Sequence, residues 1–325
     1  MSDMPVKKCI GVLTSGGDAP GMNAAVRAVV RSAISKDMTA IGIHKGYNGL
    51  LNCNYMNLDA RSVSNILKCG GTILKTARCP EFYDPKYVKI AYENCKKIGL
   101  DGIVVIGGDG SYRGARDLSM LGMPCIGIPG TIDNDIACTD YTIGYDTAMN
   151  TALEMIDKLN DTCQSHERCS VVEVMGRHAG HVALNTGVAC GAIQILTEEI
   201  PVKIEDVAQH IMKVRETGKE HFIIVVSEGY GHTAEVAQKI QEITGIESRA
   251  TILGHVQRGG SPTLRDRTVA SQMGHYAVEL FEKGIGNRVV AMKKNEIVDF
   301  DIQEALAMKK GLDMNMYQVM KDIAF

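Results

Sequence analysis

The run Gly102-Ile-Val-Val-Ile106 is followed at once by Gly107-Gly-Asp-Gly-Ser111, and these two segments decide the fold class. A continuous apolar run of this length is typical of a strand that is buried on both faces of a parallel sheet. A polar, glycine-rich turn follows it, and helical spacing then runs from Tyr112 to Leu121. Strand, turn and helix in this order predict an α/β protein built on a mainly parallel sheet.

The same arrangement occurs on both sides of this segment. Upstream, the apolar run 9–13 precedes the glycine-rich turn 14–21 and a helical pattern over 22–35. Downstream, the apolar run 125–128 precedes Pro129-Gly-Thr-Ile-Asp-Asn-Asp135. Ligands of open α/β sheets bind beyond the carboxyl ends of the strands, so the three turns are predicted to line one binding cleft.

Each turn also has an ordinary structural reading. The turn 14–21 matches neither of the two standard nucleotide-binding glycine motifs, and a tight turn without a ligand is an alternative to a phosphate site. The stretch 129–135 could be a turn rich in Asn and Asp, which favour turns by bonding their own backbone. Convergence of three such turns favours the functional interpretation.

The second half continues the alternation, with strands predicted over 170–174, 192–196, 222–226 and 249–253. Elsewhere the pattern predicts a helix start over 62–68 and a long helix over 266–283. Basic residues occur near predicted strand ends of the second half, namely Arg168, Arg177, Arg249, His255 and Arg258. Guanidinium groups bind phosphate bidentately, although any one of these residues could be a solvated surface group.

Composition excludes several classes of protein. The 325 residues carry a net charge of −3, which gives no overall electrostatic reason to expect nucleic acid or a membrane as partner. Ten cysteines without a CxxC pair resemble neither a disulfide scaffold nor a zinc site. No apolar run approaches a membrane span and no secretory leader is evident, so a cytoplasmic location is expected.

The chemistry of the turns favours phosphoryl transfer. Asp133 and Asp135 stand two residues apart beside the hydroxyl of Thr131, and such carboxylates can accept a proton or hold a metal ion. Glycines and acids in the first half suit a nucleotide with magnesium, whereas arginines in the second half suit a phosphorylated small molecule. Phosphoryl transfer uses both, because positioning and charge stabilisation carry most of its catalysis.

Five segments resemble the bacterial ATP-dependent 6-phosphofructokinase family: 11–27, 104–115, 127–136, 173–180 and 253–262. The resemblance covers essentially the whole chain. It implies two Rossmann-like three-layer domains with mainly parallel sheets, an active site in the cleft between them, and a homotetramer. The implied ATP-binding domain comprises 1–143 and 256–306, and the fructose 6-phosphate-binding domain comprises 144–255 and 307–325.

The resemblance also implies residue roles. Asp133 is the expected general base for the 1-hydroxyl of fructose 6-phosphate, with Arg177, Thr131 and Asp135 as further catalytic residues. Asp109 is expected to hold Mg²⁺ with the ATP phosphates. The positions that match ATP contacts are Gly17, Arg78, Cys79, Gly108, Asp109, Gly110 and Ser111. The positions that match sugar-phosphate contacts are Thr131, Ile132, Asp133, Arg168, Met175, Gly176, Arg177, Glu228, Arg249, His255 and Arg258, of which Arg168 and Arg249 are implied to reach across a subunit interface.

Two further expectations concern the donor and the effectors. Pyrophosphate-dependent relatives carry aspartate and lysine where this chain has Gly110 and Gly130, so ATP is the expected donor. The family's effector pocket for ADP or phosphoenolpyruvate is matched by Arg27, Arg31, Lys219 and His221. It is not matched at Ala60, Asn160, Ile193 and Thr217, so activation by Mg-ADP is expected to be weak or absent.

Two alternative functions stay open. One is a kinase for a different sugar phosphate, such as tagatose 6-phosphate. The other is a catalytically inactive sensor of sugar phosphates, which the presence of Asp109, Asp133 and Arg177 disfavours.

Overall fold

The computed structural model describes residues 7–325, and the chain divides there into two compact units. Unit 1 comprises the chain as far as Ile132 together with Ile136–Asp146 and Arg258–Lys310. Unit 2 comprises Asp133–Asp135, Thr147–Gln257 and Gly311–Phe325. The chain passes between units at 146/147, 257/258 and 310/311, where the predicted domain boundaries are 143/144, 255/256 and 306/307. The short segment 133–135 belongs to unit 2, so the chain also passes between units at 132/133 and 135/136. The predicted ATP-binding domain contains this segment.

The elements are numbered in chain order. The strands are β1 (Cys9–Ser15), β2 (Thr39–Ile43), β3 (Tyr55–Leu58), β4 (Gly102–Gly107), β5 (Cys125–Pro129), β6 (Cys169–Val174), β7 (Gln194–Leu196), β8 (Phe222–Ser227), β9 (Ser248–Ile252), β10 (Arg288–Lys293) and β11 (Glu296–Asp301). The α-helices are α1 (Met22–Ser35), α2 (Tyr47–Leu51), α3 (Pro85–Ile98), α4 (Asp109–Met120), α5 (Tyr145–Ser165), α6 (His181–Ala189), α7 (Ile204–Arg215), α8 (Thr233–Thr244), α9 (Leu264–Glu282), α10 (Ile302–Ala307) and α11 (Met314–Ile323). Short 3₁₀ helices cover Pro80–Tyr83 and Gly254–Arg258.

Unit 1 is built on a seven-stranded sheet in the order β11-β10-β5-β4-β1-β2-β3. The central strands are parallel, and β3 and β11 add antiparallel edges. Every residue of β4 is buried, as its uninterrupted apolar sequence predicts for a strand covered on both faces. Helices α1 and α9 pack against each other, and Gly274 allows the close approach because a Cβ there would lie 2.7 Å from the Cβ of Ala28.

Unit 2 is built on a four-stranded parallel sheet in the order β7-β8-β6-β9. The inner strand β8 is buried throughout, whereas the edge strand β9 contains three exposed residues. Helices α7 and α8 pack against each other, and α11 packs against α6. Both units are therefore α/β layers on mainly parallel sheets, as predicted.

The predicted helix start over 62–68 is wrong, because that segment forms turns. The Asp59 carboxylate accepts hydrogen bonds from the backbone N–H groups of Arg61 and Ser62 at 2.9 and 2.7 Å, and Asn65 adopts a φ of 60°. Bonds of this kind can cap the start of a helical turn, but a left-handed residue such as Asn65 cannot continue it as a helix. The hairpin strand β11 and the helix α6 were not anticipated.

Candidate active site

Three predicted turns lie at one edge of the unit 1 sheet. The parallel register aligns Ser15 of β1 with Gly107 of β4, and Gly107 with Pro129 of β5. The turns that follow these strands therefore start side by side at the carboxyl ends, where open α/β sheets bind ligands. Convergence of these strand ends is confirmed within unit 1.

The N-terminus of α4 forms the middle of this edge. The helix begins at Asp109, three residues before the predicted start, and no side chain caps it at Gly108. Uncapped backbone N–H groups at a helix N-terminus attract anions. The Ser111 hydroxyl donates to the Ser15 carbonyl oxygen at 3.1 Å, which ties α4 to the end of β1.

Two of the glycines here differ in their surroundings. A Cβ atom on Gly107 would lie 2.5 Å from both Ser111 Oγ and Ser15 O, so packing requires glycine there. A Cβ atom on Gly110 would have no neighbouring heavy atom within 4 Å. Glycine is unfavourable inside a helix, and packing does not require glycine at position 110. The described residues therefore give no reason of stability for glycine at this position.

Asp109 opens α4 and forms an ion pair with Arg113 one turn later. The Arg113 Nη2 and Nε atoms lie 2.8 and 3.1 Å from one carboxylate oxygen, Oδ2. Both side chains are about half exposed, at 45% for Asp109 and 49% for Arg113. The carboxylate is therefore accessible at the start of the helix.

The turn after β1 carries an arginine from a distant part of the chain. Arg258 donates from Nη1 to the Asp18 carbonyl oxygen at 3.1 Å. A Cβ atom on Gly17 would lie 2.4 Å from that nitrogen, so Gly17 makes room for the guanidinium group. The Thr76 hydroxyl donates to the Gly16 carbonyl oxygen at 2.7 Å and brings the segment before Arg78 to the same turn.

Cys79 follows the exposed Arg78 at the start of a 3₁₀ helix. Burial and the hydrogen bond to the Glu81 carboxylate raise the pKa of the Cys79 thiol to about 11. The side chain is therefore a neutral thiol at physiological pH. It can contact a ligand as a small apolar group.

The turn after β5 is supported from behind by a buried carboxylate. The Ile143 N–H donates to the Pro129 carbonyl oxygen at 2.8 Å, and the Thr142 hydroxyl donates to the Thr131 carbonyl oxygen at 2.7 Å. Asp266 then accepts from Gly144 N at 2.7 Å, and its exposed fraction is 0%.

Asp266 also accepts from the hydroxyl of Tyr141 at 2.5 Å. Burial and the adjacent Asp266 carboxylate raise the pKa of Tyr141, so its hydroxyl stays a donor. Sequence reasoning missed Asp266 as a supporting residue, because nothing in its neighbourhood along the chain marks it.

Unit 2 positions a second set of residues at the carboxyl ends of β6 and β8. Glu228 follows β8, and its Oε2 atom accepts from the N–H groups of Gly176 and Arg177 at 3.2 and 2.9 Å. Gln257 is fully buried and its Oε1 atom accepts from Met175 N at 2.8 Å. The turn 175–177 is therefore held from two directions.

Backbone strain accompanies these contacts. Arg177 has a φ of 53°, a left-handed conformation that is uncommon for residues other than glycine. Such strain is concentrated at functional sites. Sequence reasoning named Glu228 and Arg177 but not Gln257, whose position between His255 and Arg258 in a quoted motif was the available signal.

Asp133 and Asp135 belong to unit 2 with Asn134 between them. Asp133 is 4% exposed, and Asn134 adopts a φ of 51°. A buried carboxylate beside a strained residue is unusual and is typical of a functional position.

Arg168 and Arg249 lie at the opposite edge of the unit 2 sheet from Arg177 and Glu228. Arg168 immediately precedes β6, and Arg249 is the second residue of β9, whose first residue pairs with Cys169. A strand of six residues separates the two edges by roughly 17–20 Å. Both arginines therefore lie at the amino ends of their strands, whereas Arg177 and Glu228 follow the carboxyl ends of theirs.

The predicted effector residues fall in both units. Arg27 and Arg31 are one turn apart on α1, and burial together with the charge of Arg31 lowers the pKa of Arg27. Lys219 and His221 precede β8 in unit 2. Ile193 is buried with 1% exposure, so an apolar side chain suits its surroundings.

Residues 7–325 contain no group of three or more His, Cys, Asp or Glu side chains placed to hold a metal ion. Across the same residues, no helix combines the length and apolar character that crossing a membrane needs.

Comparison with known proteins places these features in context. Residues 9–281 match the family model described as phosphofructokinase. An ATP-dependent 6-phosphofructokinase from Bacillus cytotoxicus is 54% identical over 317 residues, which is 98% of this chain and 99% of the relative. A protein of the same name from Bacillus mycoides is also 54% identical, with the same coverage of both chains.

Solved structures give the same grouping. The Saccharomyces cerevisiae phosphofructokinase superposes with a TM-score of 0.89 at 34% identity, over 98% of this chain and 48% of that one. This chain thus spans about half the length of the yeast subunit. A pyrophosphate-dependent phosphofructokinase from Marinobacter aquaeolei shares the fold, with a TM-score of 0.84 at 21% identity over 95% of this chain and 86% of that one.

Proposed function

The chain belongs to the phosphofructokinase family, and on that premise we propose that it transfers a phosphoryl group from ATP to the 1-hydroxyl of fructose 6-phosphate. The products are fructose 1,6-bisphosphate and ADP, and the reaction is a step of glycolysis. The observation that carries this proposal is the shared edge formed by the carboxyl ends of β1, β4 and β5. The helix α4 starts uncapped there, beside Asp109 and an open Gly110.

Asp133 is the general base of this reaction. Its carboxylate takes the proton of the sugar 1-hydroxyl as the oxygen attacks the terminal phosphorus of ATP. Burial of Asp133 supports the role, because a carboxylate shielded from water is positioned by its surroundings. Thr131 and Ile132 border it in the chain, and Asp135 would support the metal ion.

Arg177 stabilises the negative charge that spreads over the transferring phosphoryl group. Two observations support this role. The Arg177 N–H donates to the Glu228 carboxylate, and the Arg177 backbone is left-handed. Both fix the direction in which the guanidinium group leaves the turn. Glu228, Met175 and Gly176 also contact the sugar phosphate, together with His255 and Arg258.

ATP is the phosphoryl donor. Gly17, Gly108, Gly110 and Ser111 bring backbone groups to its phosphates, while Arg78 and Cys79 contact the rest of the nucleotide. The absence of a neighbour around Gly110 in the described chain supports ATP, because an aspartate there would occupy that space instead. The named relatives from Bacillus are ATP-dependent as well.

Kinases of this kind use a divalent metal with ATP, and we assign Mg²⁺ to Asp109. The donor set fits, because Mg²⁺ is commonly held by one or two carboxylates plus substrate phosphates and not by a cage of protein ligands. When bound, Mg²⁺ neutralises charge on the phosphates. Asp109 can take this part because its side chain is about half exposed at the start of α4.

We further assign a homotetramer with active sites completed across an interface. Arg168 and Arg249 lie at the amino edge of the unit 2 sheet, roughly 17–20 Å from the edge that carries Arg177. One small sugar phosphate cannot contact both edges of the same unit. The two arginines therefore serve the 6-phosphate bound by a neighbouring copy.

Unit 1 is assigned to ATP and unit 2 to fructose 6-phosphate. ADP or phosphoenolpyruvate binds the effector residues Arg27, Arg31, Lys219 and His221, with weak or no activation by Mg-ADP. Burial of Ile193 supports the weak activation, because an isoleucine cannot coordinate a metal ion. A cytoplasmic location accords with all ten cysteines being free thiols.

The deciding experiment is a coupled assay that compares donors and acceptors. ATP with fructose 6-phosphate should give the highest kcat/KM, pyrophosphate should give no turnover, and tagatose 6-phosphate should be a poorer acceptor. Turnover with pyrophosphate and none with ATP would overturn the assignment of the donor. Binding of fructose 6-phosphate without any turnover would instead favour a sensor.

A further inference from the structure

Glu247 lies between the two arginines at the amino edge of the unit 2 sheet. Its Oε2 atom is 2.9 Å from Nε of Arg168, and its Oε1 atom accepts from Nε and Nη2 of Arg249 at 2.9 and 2.5 Å. Each oxygen of the carboxylate therefore serves one guanidinium group. These contacts place both arginines on one carboxylate, although they are 81 positions apart in the chain.

The backbone fixes where this carboxylate lies. The Cys169 N–H donates to the Glu247 carbonyl oxygen at 2.9 Å, and Cys169 pairs with Ser248 at the start of the two strands. Glu247 thus sits at a defined point of the sheet edge, directly opposite Arg168. Its side chain is 41% exposed, while those of Arg168 and Arg249 are 29% and 69% exposed.

We infer that Glu247 limits the phosphate affinity of the sugar-phosphate site, because it pairs with both Arg168 and Arg249 and competes with the phosphate group for them. The inference rests on the proposed role of the two arginines in binding the 6-phosphate. Nothing in the sequence motifs singles out Glu247. It follows from the contacts alone.

Competition is expected because carboxylate and phosphate groups bind the same N–H groups of a guanidinium. Arg249 donates from Nε and Nη2 to Glu247, and these two nitrogens form one of the two forks with which a guanidinium group can bind a phosphate bidentately. Arg168 faces Glu247 with Nε in the ion pair, which leaves its two terminal nitrogens for a ligand. A phosphate that uses this fork displaces Glu247 from Arg249, whereas Arg168 can keep its contact.

The ionisation of Glu247 fits this competition. Its contacts with Arg168 and then Arg249 lower the pKa of the carboxyl group, so it is a full anion near neutral pH. A dianionic phosphate that approaches the same arginines meets this negative charge. Removing the charge while keeping the shape should therefore strengthen phosphate binding.

The test is Glu247→Gln in the full-length enzyme. The amide keeps an oxygen that can accept from one arginine, but it loses the charge. Because partly exposed ion pairs are individually weak, we expect the half-saturating concentration of fructose 6-phosphate to fall only about two- to tenfold. The inhibition constant of inorganic sulfate, measured against fructose 6-phosphate, should fall in parallel while kcat stays within about twofold.

Glu242→Gln is the matched control, because Glu242 is an exposed carboxylate that bonds Gln238 on α8 at 2.8 Å. It should leave both constants unchanged. If Glu247 served only the fold, Glu247→Gln would have a lower melting temperature and a lower kcat, and sulfate would not inhibit it more strongly. A half-saturating concentration that is unchanged or raised in Glu247→Gln would overturn the inference.

Arg249→Ala separates this inference from the assignment on which it rests. If that variant leaves fructose 6-phosphate affinity unchanged, the role of the arginine pair is wrong. If it weakens affinity at least tenfold and Glu247→Gln has no effect, only the role of Glu247 is wrong.

Discussion

Gly110→Ala should stabilise the protein and impair its use of ATP. Gly110 is the second residue of α4, and a Cβ atom there would have no neighbouring heavy atom within 4 Å. Replacing an unconstrained helical glycine by alanine lowers the entropy of the unfolded chain and stabilises by ~0.5–1 kcal/mol. For a chain of this size, that corresponds to a rise in melting temperature of ~1–2 °C.

The cost of Gly110→Ala should appear only when ATP binds. If a phosphate of ATP fills the space beside Gly110, the new methyl group overpacks it, and overpacking costs ~1–3 kcal/mol. The value of kcat/KM for ATP should therefore fall roughly ten- to hundredfold, since each ~1.4 kcal/mol is a factor of ten. The KM for fructose 6-phosphate should change much less. Differential scanning fluorimetry and steady-state kinetics at saturating fructose 6-phosphate measure the two effects.

Gly114→Ala on the same helix is the control. A Cβ atom on Gly114 would lie 2.6 Å from Cζ of Tyr47, so alanine there should destabilise by ~1–3 kcal/mol. Gly110→Ala should thus raise the stability and Gly114→Ala should lower it, which distinguishes a glycine beside open space from a glycine in packed surroundings. A Gly110→Ala enzyme with unchanged kcat/KM for ATP would refute the reasoning, because the space would then have no connection with the donor.

Three further outcomes are expected. Asp133→Ser should lower kcat by several powers of ten with little change in fructose 6-phosphate binding, measured by kinetics and calorimetry; near-normal turnover would contradict its role as base. Because the pKa of Cys79 is raised to about 11, its thiol stays protonated at pH 8, and mass spectrometry should show slower iodoacetamide labelling than at the exposed Cys53 and Cys69. Equal labelling of all three would count against that shift. Asp266→Asn replaces a buried charged hydrogen-bond acceptor with a neutral one and should destabilise by ~1–3 kcal/mol in urea unfolding, whereas an unchanged midpoint would show that the charge of the carboxylate is not needed.

The sequence predicted what depends on local pattern. The uninterrupted apolar residues of β4 became a fully buried strand, and the glycine-rich segments after β1 and β4 became turns that enter α1 and α4. Hydrophobic period and turn chemistry are properties of neighbouring residues, so they can be read directly. The carboxyl-edge placement of these turns followed from parallel topology alone.

Predictions from local pattern failed where residues adopt left-handed backbone conformations. The segment 62–68 has a helical spacing, but Asn65 adopts a left-handed φ of 60°, which a helix cannot contain. The turn between β10 and β11 uses Lys294 and Asn295 at positive φ, without the Asn-Gly signature that marks such turns. Both departures depend on backbone conformations that composition does not reveal.

Only the tertiary structure decided which distant residues support the site. Gln257 reaches Met175 across 82 positions and Asp266 reaches Gly144 across 122, and the local sequence specifies neither contact, although Gln257 lies within a quoted motif. The sheet register likewise put Arg168 and Glu247 at the amino edge of unit 2, away from Arg177. The local sequence thus identifies the chemical groups of the candidate site. The residues that support these groups, and the end of the sheet at which each group lies, depend on long-range pairing, which no local pattern encodes.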